Sequence, residues 1–267
     1  MDRDHAWKSE WDRRAQFCEN DLLFDRGLET NSGIVHTYYN KQLLNFIGSE
    51  RSMRILDVGC GTGDSIELIK KTNGSAINIF GLDYCDGAIY RCNSKLEVSL
   101  FENVNLFIGS ADNLMFKDCS FDRVICISVL QYLSDSDCDH ALYELLRVTQ
   151  RGKYIYITIH NSFSPFWFVH KIVHCLYIGK LLRKLRILGE DTCPKENIRS
   201  YLWYLQRITS NGGKIVDISS FNILPKYAPQ RIIPPLLRLE ILLRRIPVIS
   251  HLVQNIGAVS TIVVMRE

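Results

Sequence analysis

The 267-residue sequence predicts an α/β fold: a doubly wound, mostly parallel seven-stranded sheet with helical insertions. Three observations lead there. From Met53 onward, apolar strand-like runs alternate with helical stretches, the pattern of a parallel sheet with helices on both faces. The runs are solidly apolar rather than alternating, as expected of strands covered on both sides. A glycine-rich turn, Gly59-Cys60-Gly61-Thr62-Gly63, joins the first run to the first helix behind it, the place where open parallel sheets bind ligands.

In chain order, residues 1–50 read as helical and aromatic, with Trp7, Trp11, Phe17, Tyr38 and Tyr39. Met53 to Val58 is the first strand and Ser65 to Lys71 the helix after the turn. Ala76 to Leu82 is an apolar strand bounded by glycines, followed by a helix over Asp86 to Leu96 and a short strand over Val104 to Ile108. Phe121 to Ile127 is the fourth strand. Ser136 to Val148 places Ala141, Leu142, Leu145 and Leu146 at helical spacing. Tyr154 to Ile159 is the fifth strand, Lys195 to Ser210 a helix closing near Asn211-Gly212-Gly213, and Lys214 to Phe221 and Ala258 to Met265 the last two strands. Between them lies an amphipathic stretch, Leu236 to Ile246. No repeat and no low-complexity linker interrupts the chain, so a single domain is expected over 1–267.

Hydrophobic residues make up 46% and charged residues 23%, which supports a substantial core and argues against a disordered chain. A net charge of +3 is too weak to suggest nucleic acid by itself. The nine cysteines include no C-x-x-C pair, so the expectation is reduced, mostly buried thiols (Cys60, Cys85, Cys92, Cys126, Cys175), no metal and a cytoplasmic setting. The start, Met1 to Trp7, is charged where a secretory leader would be apolar. The stretch Phe166 to Gly179 is broken by His170, Lys171 and His174 and falls short of the roughly 20 apolar residues of a membrane span.

The turn carries most of the functional information. A dinucleotide loop needs G-x-G-x-x-G, but here the glycines are Gly59, Gly61 and Gly63, and Asp64 stands in the last position. A fixed negative charge at Asp64, with Asp57 nearby, would repel a diphosphate and suit a ligand bearing a positive amine; Asp57 also suits the loop's own backbone. Asp83 ends the second strand about 20 residues on, where an acid accepts hydrogen bonds from both ribose hydroxyls of either a NAD or an adenosyl ligand. Tyr84 follows and is placed to lie against a base.

With those residues in view, the chain resembles the class I S-adenosylmethionine-dependent methyltransferases, in particular the group that includes ubiquinone-biosynthesis and small-molecule methyltransferases. The resemblance rests on Arg54 to Gly63, Gly81-Leu82-Asp83, Gly109 to Phe116, Phe121 to Val124, Val129 to Leu133, and Glu144 to Val148 before Arg151-Gly152, all in order between about Arg54 and His160. It implies a Rossmann-like methyltransferase fold with S-adenosyl-L-methionine as cofactor. The glycine loop (Gly59, Cys60, Gly61, Gly63) would hold the methionine end, Asp83 the ribose, and Ser110 and Ala111 the adenine edge. Many relatives carry aspartate in place of Ser110, and Asp112 is the residue that could substitute; proline often replaces Met115 and a second glycine Lys153.

The division expected within the domain is an N-terminal helical lid at 1–50, a cofactor-binding core at 51–160, and acceptor-side helices with the last two strands at 161–267. Transfer is an in-line displacement on an activated methyl group, so the protein mainly aligns the nucleophile and, for a hydroxyl, removes its proton. Ser128, Gln131 and Tyr132 follow the fourth strand and His160 and Asn161 the fifth, beyond the strand ends where such sites lie. Of these, Ser128 is taken with the cofactor residues, while His160, Tyr132 and Gln131 are the catalytic candidates. His160 leads as general base because histidine exchanges protons near neutral pH. The plainer readings, a hydrogen-bonded strand-end histidine and a packing tyrosine, stand beside these.

Phe163 to Ile178, followed by Lys180, Arg183, Lys184 and Arg186, and Leu236 to Ile246 with Arg238, Arg244 and Arg245, read as helices capping the sheet edge, as a lid over an apolar acceptor, or as a surface that touches anionic membrane. The expected partner is a small-molecule or lipid-like acceptor methylated at oxygen, with the protein a monomer or homodimer. Nucleic acid is disfavoured: Ser128-Val129-Leu130-Gln131 stands where base methyltransferases often carry an Asn/Asp-Pro-Pro-Tyr-like run. The rivals are a NAD-dependent oxidoreductase, a non-catalytic cofactor-binding regulatory protein and a membrane-surface module.

Overall fold

The computed structural model describes residues 11–12, 33–50, 52–99, 101–162, 196–221, 242 and 259–267. In chain order these form α1 (Gly33–Ile47), β1 (Arg54–Val58), α2 (Asp64–Asn73), β2 (Asn78–Asp83), α3 (Asp86–Val98), β3 (Val104–Ile108), β4 (Phe121–Ile127), α4 (Asp135–Val148), β5 (Thr149–His160), α5 (Tyr201–Ser210), β6 (Gly213–Phe221) and β7 (Val259–Arg266). One seven-stranded sheet runs β3-β2-β1-β4-β5-β7-β6. Strands β1 to β5 pair in parallel, and β7 runs antiparallel to both β5 and β6. The chain winds outward in one direction through β1, β2 and β3, then returns to the centre to add β4 beside β1. The two halves diverge there, and ligands of such sheets bind at the carboxyl ends around that point.

Successive strand residues face opposite ways, and both ways are buried. In β4, Val124 and Cys126 enter the core beneath α4 and α5, while Ile125 enters the core with Ile47 of α1, Ile66 and Ile69 of α2 and Cys92 of α3. Tyr156 does the same in β5, opposite Ile155 and Ile157. These two-sided strands are why the apolar runs lacked a period-two pattern.

The helix expected over Lys195 to Ser210 begins only at Tyr201. Ser200 caps it, its hydroxyl oxygen accepting the Trp203 N–H at 3.2 Å. The chain ahead of the cap is extended: Arg199 forms a parallel bridge with Asn161 just past β5, and its guanidinium donates to the Leu130 and Leu133 carbonyls at 3.2 and 2.8 Å and to Asp135 at 2.8 Å. A buried arginine with those partners outweighs one more helical turn. The stretches 163–186 and 236–246, apart from residue 242, lie outside the described residues, as do Trp7, Phe17 and the histidines at 170 and 174.

Candidate active site

The turn after β1 is fixed by its own backbone. Gly59 and Cys60 both donate N–H to the Leu82 carbonyl of β2, at 2.7 and 3.0 Å. Gly59 (φ 74°) and Gly63 (φ 85°) lie in the left-handed region, which suits glycine. Their missing side chains also make room for the protein itself: a Cβ on Gly59 would sit 2.1 Å from Val129 Cγ2 and one on Gly63 2.5 Å from Cys92 Sγ. These two glycines therefore serve packing as much as ligand approach.

Asp83 ties the turn to β2. Its Oδ2 accepts the Gly61 N–H and its Oδ1 the Cys85 N–H, each at 2.9 Å. Burial pushes its carboxyl above the usual carboxylate range, and these N–H bonds oppose that rise. The Tyr84 N–H is a third backbone donor to this carboxylate; a carboxylate has about four lone-pair positions, so acceptor capacity for a ribose hydroxyl is left. Gly109 joins the end of β3 to the same place through its N–H to the Asp83 carbonyl, at 3.0 Å. Just beyond it, Ser110 donates its hydroxyl to Asp112, so these two residues act as one unit beside the buried Ala111. Asp57, at the end of β1, is buried, and Tyr84 is half-buried next to Asp83.

Asp64 does not play the part expected of it. Lys95 of α3 pairs with its carboxylate and, at 3.2 Å, with that of Glu67, so its charge is locally balanced. The electrostatic case against a diphosphate rests instead on the acids at the strand ends. At the start of α3, Asp12, Cys85 and Asp86 bring three ligand-type atoms within 4.8 Å of one another. Burial pushes the Cys85 thiol up to about 12, which favours a hydrogen-bonding thiol over a thiolate metal ligand.

On the other side of β1, the ends of β4 and β5 carry different chemistry. Ser128 adopts a left-handed φ of 58° and donates its N–H to the Thr158 hydroxyl at 2.9 Å. A short 3₁₀ turn, Leu130–Tyr132, follows. His160 Nδ1 lies 2.7 Å from Glu196 Oε2, and the Tyr132 hydroxyl donates to Glu196 Oε1 at 3.4 Å. One carboxylate thus joins the two leading catalytic candidates. Trp11 meets Tyr132 edge-on at 5.4 Å between ring centroids and also packs against Cys85 and Ala88 at the start of α3. This one indole therefore spans from the β4 side of the site to the β2 side.

Gln131 stands apart from that cluster. It is fully buried, its carbonyl accepts the Asn197 N–H at 2.6 Å, and neither atom of its side-chain amide has a hydrogen-bond partner among the described residues. Sequence reasoning missed Glu196, Asn197 and Arg199 because it placed 195–200 inside a helix. Ser200 directly before the apolar Tyr201-Leu202-Trp203 is the capping signal that would have exposed them.

A family model described as a methyltransferase domain matches residues 49–197. The chain belongs to the methyltransferase domain family. This methyltransferase domain is 31% identical over 156 residues to demethylmenaquinone methyltransferase of Staphylococcus aureus strain MRSA252, a match covering 56% of this chain and 62% of that relative. Among solved structures, the [4+2]-cyclase SpnF shares 15% identity at TM-score 0.64, covering 97% of this chain and 94% of its own. The methyltransferase in the Haloferax volcanii Trm112 complex shares 20% at 0.61, with 96% and 97% covered. Geranyl diphosphate C-methyltransferase of Streptomyces coelicolor A3(2) shares 14% at 0.60, with 96% and 88% covered. At these identities the structural matches establish the fold.

The residues present fit an S-adenosyl group. The ends of the adjacent strands β1, β2 and β3 carry or precede Asp57, Asp83 and the Ser110–Asp112 unit. Such acceptors suit, in turn, a cationic amine, a ribose diol and the amino edge of a purine.

Proposed function

We propose that the protein transfers the methyl group of S-adenosylmethionine to an oxygen of a small, hydrophobic or lipid-like acceptor. The observation that carries this reading is the row of acids over β1, β2 and β3, set beside the Tyr132–Glu196–His160 cluster over β4 and β5. The first half suits the cofactor and the second the reacting acceptor. The cofactor, when bound, supplies an electrophilic methyl group and keeps the displaced electron pair on its sulfur. The chain's own part is to hold the ribose on Asp83, seat the methionine end in the glycine loop, exclude water and take a proton. Residues 1–50 serve as the lid, 51–160 as the cofactor core and 161–267 as the acceptor side.

The demethylmenaquinone methyltransferase relative makes a quinone-like ring the first acceptor class to try. The apolar and basic composition of 163–186 and 236–246 supports a hydrophobic acceptor and contact with an anionic membrane surface. No helix among the described residues is long and apolar enough to cross a membrane.

Calorimetry with S-adenosylmethionine, S-adenosylhomocysteine and NAD tests the reading. Binding of both adenosyl ligands and not of NAD is expected; binding of NAD alone sinks it. A second reading, a cofactor-binding protein that transfers no methyl group, draws on one observation: a cyclase shares this fold. Methyl-labelled cofactor separates the two, since only a transferase moves the label.

A further inference from the structure

Glu196 is separated from His160 by 36 positions, yet the fold delivers its carboxylate to the imidazole. The delivery is built. Asn197 N–H donates to the Gln131 carbonyl at 2.6 Å and its side-chain amide to the Leu133 carbonyl at 2.9 Å. Arg199 is buried and bonds three partners around the β4–α4 connection, Leu130, Leu133 and Asp135, as well as Tyr204 of α5, while its carbonyl accepts the Ser162 N–H at 3.1 Å. Glu196 and His160 are both largely enclosed, at 14% and 20% side-chain exposure, so their contact is less screened than a surface ion pair. Tyr132 holds the second carboxylate oxygen.

We infer that Glu196 is a positioning residue that makes His160 the proton acceptor for a hydroxyl on an aromatic ring. The inference rests on the methyl-transfer reading above. With Nδ1–H donated to the carboxylate, the basic lone pair of the neutral imidazole is on Nε2. The acceptor hydroxyl gives its proton to Nε2, and its oxygen electron pair forms the new bond to the methyl carbon as the carbon–sulfur bond breaks. The imidazolium, paired with Glu196, then returns the proton to water. An aryl hydroxyl is the class chosen because its acidity, like that of a tyrosine near pKa ~10, lies far closer to an imidazole's reach than an alkyl alcohol's.

Two measurements on the full chain test this. The first is ¹⁵N-histidine NMR at a pH where His160 is neutral. The Nδ1–H tautomer is expected, and an Nε2–H tautomer overturns the inference whatever the acceptor proves to be. The second is turnover of 1,4-naphthalenediol, kept reduced under anaerobic conditions. Glu196→Gln should lower kcat about 10- to 100-fold, with KM and cofactor affinity within about twofold of wild type and partial recovery in Glu196→Asp. His160→Ala should lower it by about 10²- to 10⁴-fold and respond to added imidazole. A Glu196→Gln protein that is folded, binds cofactor and turns over at the wild-type rate removes Glu196 from this role. Wild-type protein that binds cofactor but leaves the diol unmethylated removes the aryl-hydroxyl assignment, whereas failure to bind cofactor at all counts against the methyl-transfer reading instead.

Discussion

Gly63 shows how much one missing side chain does here. Its left-handed φ and its contact with Cys92 together predict that Gly63→Ala costs about 2–4 kcal/mol. The steric part should be relieved by Cys92→Ala. Denaturant unfolding of the four proteins in that cycle should give a favourable coupling of about 1 kcal/mol or more; zero coupling would mean that the two residues do not meet. Asp83 is the second decisive position. Asp83→Ala removes the acceptor of the Gly61 and Cys85 N–H groups and, on the proposed assignment, the acceptor for the ribose, so calorimetry should show cofactor affinity falling at least about tenfold. Unchanged affinity would rule Asp83 out as the ribose residue. Both positions stood out in the sequence, because a glycine turn followed by a strand-end acid is a distinctive order, and both fall where the sequence places them, at the turn after β1 and the end of β2. Glu196 was not: a glutamate carries no local signature, and only tertiary contact reveals what it faces.

Among the elements, α5 and the segment before it carry the most consequence. Ser200→Ala should cost about 1 kcal/mol through the lost cap. Arg199→Met should cost about 2–4 kcal/mol, since it strands the Leu130 and Leu133 carbonyls. Thermal denaturation distinguishes the two, and a smaller loss for Arg199→Met than for Ser200→Ala would contradict the buried network. The strands were read from sequence to within a few residues because their apolar runs are short and bounded, either by a helical stretch or, between β3 and β4, by a polar loop. β5 was the exception: its first residues, Thr149 to Lys153, are polar, and the strand starts there only because Phe121 pairs with Thr149. Helix ends were read less well, because a buried arginine overrode local propensity at 195–200.

At the scale of the whole molecule, acid stability is set in part by carboxylates tied to cations. Glu144 is held below the usual glutamate range by its hydrogen bonds from Arg147, and Glu67 by that from Lys71. A depressed folded value means that the stabilisation is present above the unfolded value near ~4.3 and is lost as pH falls through the folded values below it. Melting temperature followed from about pH 6 down to about pH 3 should therefore fall, and Glu144→Gln should be less stable than wild type at neutral pH but converge with it in acid. Parallel curves would mean that the Glu144–Arg147 pair contributes nothing pH-dependent. The pair also anchors the β3–β4 connection, with Arg147 donating to the Leu114 and Phe116 carbonyls at 2.9 and 2.8 Å. Proton uptake there would loosen the stretch that follows Ser110 and Asp112.

The bridge between Asn161 and Arg199 has an evolutionary consequence. It staples together the two ends of the excursion through residues 163–195, so that excursion begins and ends at one fixed point beside His160 and Glu196. Doubling the length of such a closed excursion costs only about 0.6 kcal/mol in closure entropy. Descendants of this chain could therefore exchange the whole insert as a cassette and acquire new substrates, while inheriting the Glu196–His160 contact unchanged.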